Sequence, residues 1–158
     1  MLHLVLVEPE IHWNTGNLGR TALAVGAELH LVEPLGFSLD DKQVKRAGLD
    51  YWPRVKLRTW PSWEAIARAL PGLGEAWYFS AAATRPYWDA PFADNTVLVF
   101  GRESVGLPPA LVAAAGDHAL AIPMADAALR SLNLSTAGAL AAYEWERQRR
   151  MRSAIRVR

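Results

Sequence analysis

The chain contains no cysteine. That excludes disulfides, thiolate metal sites and cysteine nucleophiles, and it suits a reducing compartment such as the cytoplasm. It also has no apolar run near the roughly 20 residues that a bilayer requires, so no membrane-spanning segment is expected. Residues 1–7 are apolar but carry no basic leader or small-residue cleavage site, and Glu8-Pro9 follows at once, so they read as a first strand. Net charge is nearly absent too, at +1. The balance is uneven, however: Arg147, Arg149, Arg150, Arg152, Arg156 and Arg158 gather at the C-terminus and leave an excess of acid elsewhere. Such a basic tail (147–158) either attracts a polyanion or forms a solvated helix end whose cations suit the macrodipole. Repeats, linkers and low-complexity tracts are missing. With 158 residues, 51% of them apolar, the expectation is one domain over 1–158 that buries roughly 70% of its unfolded surface.

What is present is an alternation of strand and helix patterns. Strands are expected at Leu2–Val7, Glu28–Val32, Val55–Leu57, Ala76–Ser80, Thr96–Phe100 and His118–Ile122. Helices are expected at Thr15–Gly26 with Asn14 or Thr15 as cap, at Asp40–Gly48, and at Ser62–Leu70 before a Pro71-Gly72-Leu73-Gly74 turn. Two more follow, from Pro108-Pro109 through Ala115 and over Asn133–Arg149. The pattern implies an α/β fold with a mainly parallel sheet.

Three segments put small polar residues, glycine or proline between a strand and a helix: Asn14–Arg20, Phe100–Pro108, and Ile122-Pro123-Met124 with Arg130–Ser135. Ligands of open α/β sheets bind outside the strand carboxyl ends, so these loops are expected to form one site. In the first, Gly16 and Gly19 before a helix, with Arg20, suggest a phosphate cradle rather than a plain turn. In the second, Gly101 and Gly106 flank Glu103, a carboxylate suited to stabilising the loop or to touching a ligand. In the third, Asn133 or Ser131 is a candidate helix cap. His3, His12, His30 and His118 show neither a nucleophile motif nor ligand spacing, so no triad and no metal site is expected.

Together the segments resemble the SpoU branch of the SPOUT RNA methyltransferases, most closely its minimal members that methylate the wobble ribose of transfer RNA. The likeness includes residues 6–11, Asn14–Arg20, Glu33–Phe37, Asp41-Lys42, Arg46–Tyr51, the Gly101–Pro108 loop, Ile122–Met124, Arg130–Ser135 and Tyr143-Glu144. The resemblance implies an α/β knot fold with a C-terminal trefoil knot at about 76–150, and a homodimer whose active site uses both subunits. It implies S-adenosylmethionine as donor, S-adenosylhomocysteine as product, and tRNA as partner. Ser80, Gly101, Leu107, Ile122, Met124, Ser131, Leu132 and Asn133 match the donor-binding positions.

The implied reaction is in-line attack of a ribose 2′-hydroxyl on the sulfonium methyl, in which alignment matters most. Arg20 matches the family's arginine at the reacting hydroxyl. A guanidinium keeps its proton, so an orienting and charge-stabilising role suits Arg20 better than proton abstraction. Asn17, Glu103, Ser135 and Tyr143 are its candidate positioners. Lys42, Arg46, Arg130 and the C-terminal arginines are candidate RNA contacts, and Tyr143 and Trp145 are candidates either for packing across subunits or for the core. Two other classes stay open: a dinucleotide-binding oxidoreductase, with Glu33 as a ribose-binding acid, and a non-catalytic RNA-binding module.

Overall fold

The computed structural model describes residues 1–40, 50–126 and 128–156. Seven strands form one parallel sheet: β1 (Leu2–Val7), β2 (Glu28–Val32), β3 (Leu57–Trp60), β4 (Glu75–Phe79), β5 (Arg85–Pro86), β6 (Thr96–Phe100) and β7 (Ala119–Ala121). Their order is β3-β2-β1-β6-β4-β7-β5, and every pairing is parallel. Four α-helices among the described residues flank the sheet: α1 (His12–Val25), α2 (Trp63–Leu73), α3 (Pro109–Ala115) and α4 (Leu134–Arg156). Among the described residues, no helix is long and apolar enough to cross a membrane. The expected helix over Asp40–Gly48 lies outside the described residues from 41 on, as do Lys42 and Arg46.

Both faces of the sheet are covered, so its central strands are buried along their whole length, as continuous apolar runs predict. Side chains alternate between two cores. Leu2, Leu4, Leu6, Leu98 and Phe100 pack with Leu18, Ala141, Ala142 and Trp145 on one face, whereas Val5, Val7, Val97 and Val99 meet Ile66, Leu70 and Leu107 on the other. The chain leaves β1 toward β2 and β3, then returns to build β6 and β4 on the opposite side. The crevice between β1 and β6 is therefore the switch point at which such sheets take ligands.

Several boundaries move. α1 starts at His12 rather than Thr15, and its N-cap, Ile11, makes no side-chain cap bond. Asn14, Thr15, Gly16 and Gly19 are thus buried inside a helix and are not a phosphate-binding loop before one. Gly19 serves close packing, since a Cβ there would lie 2.6 Å from the Trp52 ring, just as one on Gly138 of α4 would lie 2.4 Å from Leu18. α2 runs through Pro71 to Leu73, past the turn expected to stop it, and ends at Gly74. Only the N–H of Pro71 is missing from the helix ladder, which is tolerable so close to its end. β3 begins two residues later than expected, and β5 was not foreseen because two residues carry no period. The basic C-terminus is helical through Arg156 rather than a tail. Arg147 pairs with Glu144, Arg149 and Arg150 with Glu146, and Arg152 with Asp94. The first three are i,i+3 or i,i+4 pairs within α4, and together the four occupy much of the positive charge that a polyanion would otherwise meet. The Arg149 and Arg150 guanidiniums hold the Glu146 carboxyl down at about 2 against its burial.

Candidate active site

Four adjacent strands, β1, β6, β4 and β7, deliver their carboxyl ends to one side of the molecule. Glu8 follows β1, Gly101 follows β6, Ser80 follows β4 and Ile122 follows β7. A cleft of about 1190 Å³ opens there, larger than the ~300–1,000 Å³ usual for small-molecule sites. Ser80, Gly101, Leu107, Ile122, Met124, Ser131, Leu132 and Asn133 all line it, so eight positions taken from three distant stretches of sequence meet on one surface. Glu103 and the exposed Arg130 line it as well.

The loops are locked by reciprocal carboxylates. Glu103 accepts hydrogen bonds from the Glu10 N–H at 2.7 Å, the Ile11 N–H at 3.1 Å and the Asn14 amide at 3.0 Å. Glu10 in return accepts from the Ser104 N–H and hydroxyl, each at 2.9 Å. Glu8 pairs with Arg102. Glu103 thereby anchors the chain where α1 begins, and its negative charge suits a helix N-terminus. Of the two roles open to it in sequence, stabilising the loop is the one these bonds perform. Asn14 closes the set, since its Oδ1 accepts from the Asn133 side chain at 2.8 Å while its Nδ2 donates to Glu103. One hydrogen-bonded chain, Glu103–Asn14–Asn133, therefore joins all three segments.

Local backbone explains the shapes. A Cβ on Gly101 would stand 2.1 Å from the Gly106 and Leu107 backbone, because the loop doubles back on itself there. Gly106 makes the return with φ +72° and donates its N–H to the Arg102 carbonyl. Asn133 caps α4 as expected, its Oδ1 accepting from the N–H groups of Ser135 and Thr136 and from the Ser135 hydroxyl.

A second hollow, about 670 Å³, lies between α1 and α4. It gathers Asn17, Ser135 and Tyr143 with Thr21, Tyr87 and Glu144. The candidates for positioning Arg20 are thus divided, with Glu103 in the cleft and the others in this groove. Burial first, then the nearby Glu144 charge, raises the Tyr87 hydroxyl above its ordinary range. The Arg147 hydrogen bond holds Glu144 low against its own desolvation. Arg20 lines neither hollow. It is exposed on α1, with its guanidinium 4.6 Å from the centre of the Tyr51 ring. Tyr51 is itself tied to α1, since its hydroxyl donates to the Gly16 carbonyl at 2.7 Å. Sequence reasoning gave Tyr51 no role of its own and offered Asn14 only as a helix cap. Both lie in motifs it quoted, but nothing local reveals partners 35 and 89 residues away. Trp145 belongs to the core, 4% exposed and donating its indole N–H to the Ala93 carbonyl, whereas Tyr143 is 55% exposed.

One further polar cluster lies elsewhere. His3, Glu28 and His30 stand on one face near the start of β1 and β2, close enough together to suggest a metal site. Hydrogen bonds order the two rings. The Trp60 indole, which can only donate, gives its N–H to His30 Nδ1 at 3.0 Å, so the His30 proton resides on Nε2 and points at His3 Nδ1, also 3.0 Å away. Both inward-facing ring nitrogens are thereby committed to hydrogen bonds.

A parallel sheet with a cleft over the carboxyl ends of four neighbouring strands, clasped by three remote loops, defines an α/β protein built to hold a small ligand at its switch point. The chain belongs to the SpoU rRNA Methylase family, whose profile matches residues 1–143. A tRNA (cytidine(34)-2'-O)-methyltransferase of Acidovorax sp. is 45% identical over 150 residues, covering 94% of this chain and 92% of that protein. One from Burkholderia pseudomallei is 42% identical over 150 residues, with 94% and 96% covered. Among solved structures, one described as "Structural insights into the 2-OH methylation of C/U34 on tRNA" aligns with a TM-score of 0.86 and 49% identity, over 94% of this chain and 95% of the other. The SpoU methyltransferase AviRb from Streptomyces viridochromogenes, in complex with the cofactor AdoMet, aligns with a TM-score of 0.79 and 26% identity, over 94% of this chain and 58% of the other.

Proposed function

We propose that this protein transfers a methyl group from S-adenosylmethionine to the ribose 2′-hydroxyl of nucleotide 34 of tRNA, a cytidine or a modified uridine. The observation that carries the reading is the gathering of Ser80, Gly101, Leu107, Ile122, Met124, Ser131, Leu132 and Asn133 around one cleft. That lining suits the donor chemically. Leu107, Ile122 and Leu132 offer apolar surface to a flat base, and the Ser80 and Ser131 hydroxyls and the strand-end backbone offer polar partners. When bound, S-adenosylmethionine supplies a methyl group activated by its sulfonium charge. The protein's own task is to fix geometry: the Glu103–Asn14–Asn133 chain and the Gly101 return hold the cleft walls, and alignment of reacting atoms is where such sites gain most. Arg20, held on α1 by Tyr51, orients the ribose and steadies negative charge as the hydroxyl proton leaves, with the adjacent RNA phosphate as acceptor. Asn17, Ser135 and Tyr143 position the ribose from the groove, and Lys42, Arg46 and Arg130 contact the RNA backbone.

A homodimer belongs to the same reading. Its support is that Arg20 is not among the residues lining the cleft of its own chain, a separation that a second copy closes by bringing its own Arg20 there; Leu140 and Tyr143, 40% and 55% exposed, offer apolar surface for it. A single domain over 1–158, the family's knot over about 76–150 and residence in the cytoplasm complete the proposal. The test is methyl transfer from labelled donor to tRNA, followed by mapping of the modified nucleotide. Arg20→Ala is expected to lose nearly all turnover while donor binding is kept; equal loss of both would overturn the role given to Arg20.

A further inference from the structure

The exposed stripe of α1 runs Trp13, Asn17, Arg20 at i, i+4, i+7. Two of these belong to the reaction proposed above, and Trp13 is as yet without a role. Its indole is 56% exposed, which is costly for so large an apolar ring unless something covers it during function. It is also held in place. The His12 ring lies 4.3 Å from it centre to centre, and Phe37 lies 6.4 Å from His12. Phe37 is placed there because the loop after β2 is clamped to the loop after β1: the Gly36 N–H donates to the Pro9 carbonyl at 2.9 Å, and a Cβ on Gly36 would meet the Glu10 backbone at 2.5 Å. A ring braced on one side and open to solvent on the other is a stacking platform. Its neighbours Ile11 and Asn14 line the cleft of the same chain, whereas the Trp13 ring, like Arg20, lies outside that lining.

We infer that Trp13 stacks on a nucleobase of the single-stranded RNA loop flanking the methylated nucleotide, and so sets the register in which the ribose reaches Arg20. Seven helical residues separate the two, about 10 Å of rise, or roughly three nucleotides stacked at about 3.4 Å each. Sequence-tolerant stacking on aromatic side chains is the usual way in which proteins hold splayed single-stranded bases. This inference rests on the tRNA reading, and the experiment keeps the two apart. RNA affinity is measured by anisotropy with a labelled anticodon stem-loop, and turnover with labelled donor, for the wild type, Trp13→Ala and Trp13→Phe. Trp13→Ala is expected to weaken RNA binding and raise the RNA KM roughly 5- to 100-fold, with donor affinity unchanged. Trp13→Phe, which keeps a ring, is expected to stay near the wild type. Unchanged RNA affinity in Trp13→Ala overturns the inference, as does a shift in oligomeric state at matched concentration, which would make Trp13 a contact between copies. If the wild type methylates no tRNA while Trp13→Ala still loses RNA affinity, the methylation reading fails and the platform stands.

Discussion

The hydrogen-bonded run Trp60–His30–His3 predicts that acid weakens this protein well above the pH at which carboxylates protonate. His30 is fully buried, and desolvation, followed by the nearby His3 and Arg58, lowers it from 6.5 to about 4. Burial lowers His3 as well. A histidine whose folded pKa lies below its unfolded value takes up a proton on unfolding. Its stabilisation is therefore complete above pH 6.5 and is lost as the pH falls toward 4. For His30 alone the loss between pH 8 and pH 5 is about 2 kcal/mol, with a ceiling of about 3.4 kcal/mol below both values. That is a sizeable share of a typical domain stability of about 5–15 kcal/mol. Glu144 and Glu146, held low by their arginines, lose stability only at lower pH, so stopping at pH 5 separates the effects. The assay is urea unfolding at pH 8, 7, 6 and 5 for the wild type and His30→Gln, whose amide can accept from Trp60 and donate to His3. The wild type is expected to lose about 2 kcal/mol and the variant less than half as much. A flat wild-type profile, or equal slopes in the two proteins, would refute the proton order assigned here.

Glu103→Gln turns one acceptor oxygen into an amine facing a backbone N–H, at a cost of about 1–3 kcal/mol. Thermal unfolding is expected to fall by roughly 3–10 °C with the pH profile of kcat unmoved; a displaced profile would give Glu103 an acid–base role. Gly101→Ala forces a methyl group onto the Gly106–Leu107 backbone, so calorimetry should register a donor affinity reduced by at least about tenfold, a displacement worth about 1.4 kcal/mol. Native affinity would mean that the loop is not the cleft wall. If the active site combines two copies, mixing Arg20→Ala with the cleft-blocking Ser131→Trp should restore about a quarter of wild-type activity through hybrid dimers. Two variants that stay inactive after co-refolding would confine the site to one chain.

Much of the architecture was legible because it is periodic. β2 and β6 fall at the bounds that their short leucine- and valine-rich stretches suggest, and the fold class follows from their alternation with helices. The cleft was legible for a related reason: glycine and small polar residues at strand ends leave few other roles for a loop, and the family resemblance supplied the residue positions. The helix start at His12 was not legible, because the carboxylate that anchors it, Glu103, comes from 92 residues away rather than from the adjacent Asn14 or Thr15. Packing against Trp52, remote in sequence, likewise hid the purpose of Gly19, which pattern alone assigns to a phosphate.

By itself, then, the sequence determined what local chemistry governs: which stretches are apolar at period two or 3.6, where the chain must turn, and the absence of thiol chemistry. Only the tertiary structure decided which turns share a surface, that Asn14 bridges Glu103 and Asn133, that Trp145 is core while Tyr143 is exposed, and that most of the C-terminal arginines are occupied by their own helix and Asp94. The physical reason is range. Propensity and periodicity act over a few residues, whereas hydrogen-bond partners and packing neighbours are chosen by how the sheet stacks its strands, and β1 meets β6 across some ninety residues of chain.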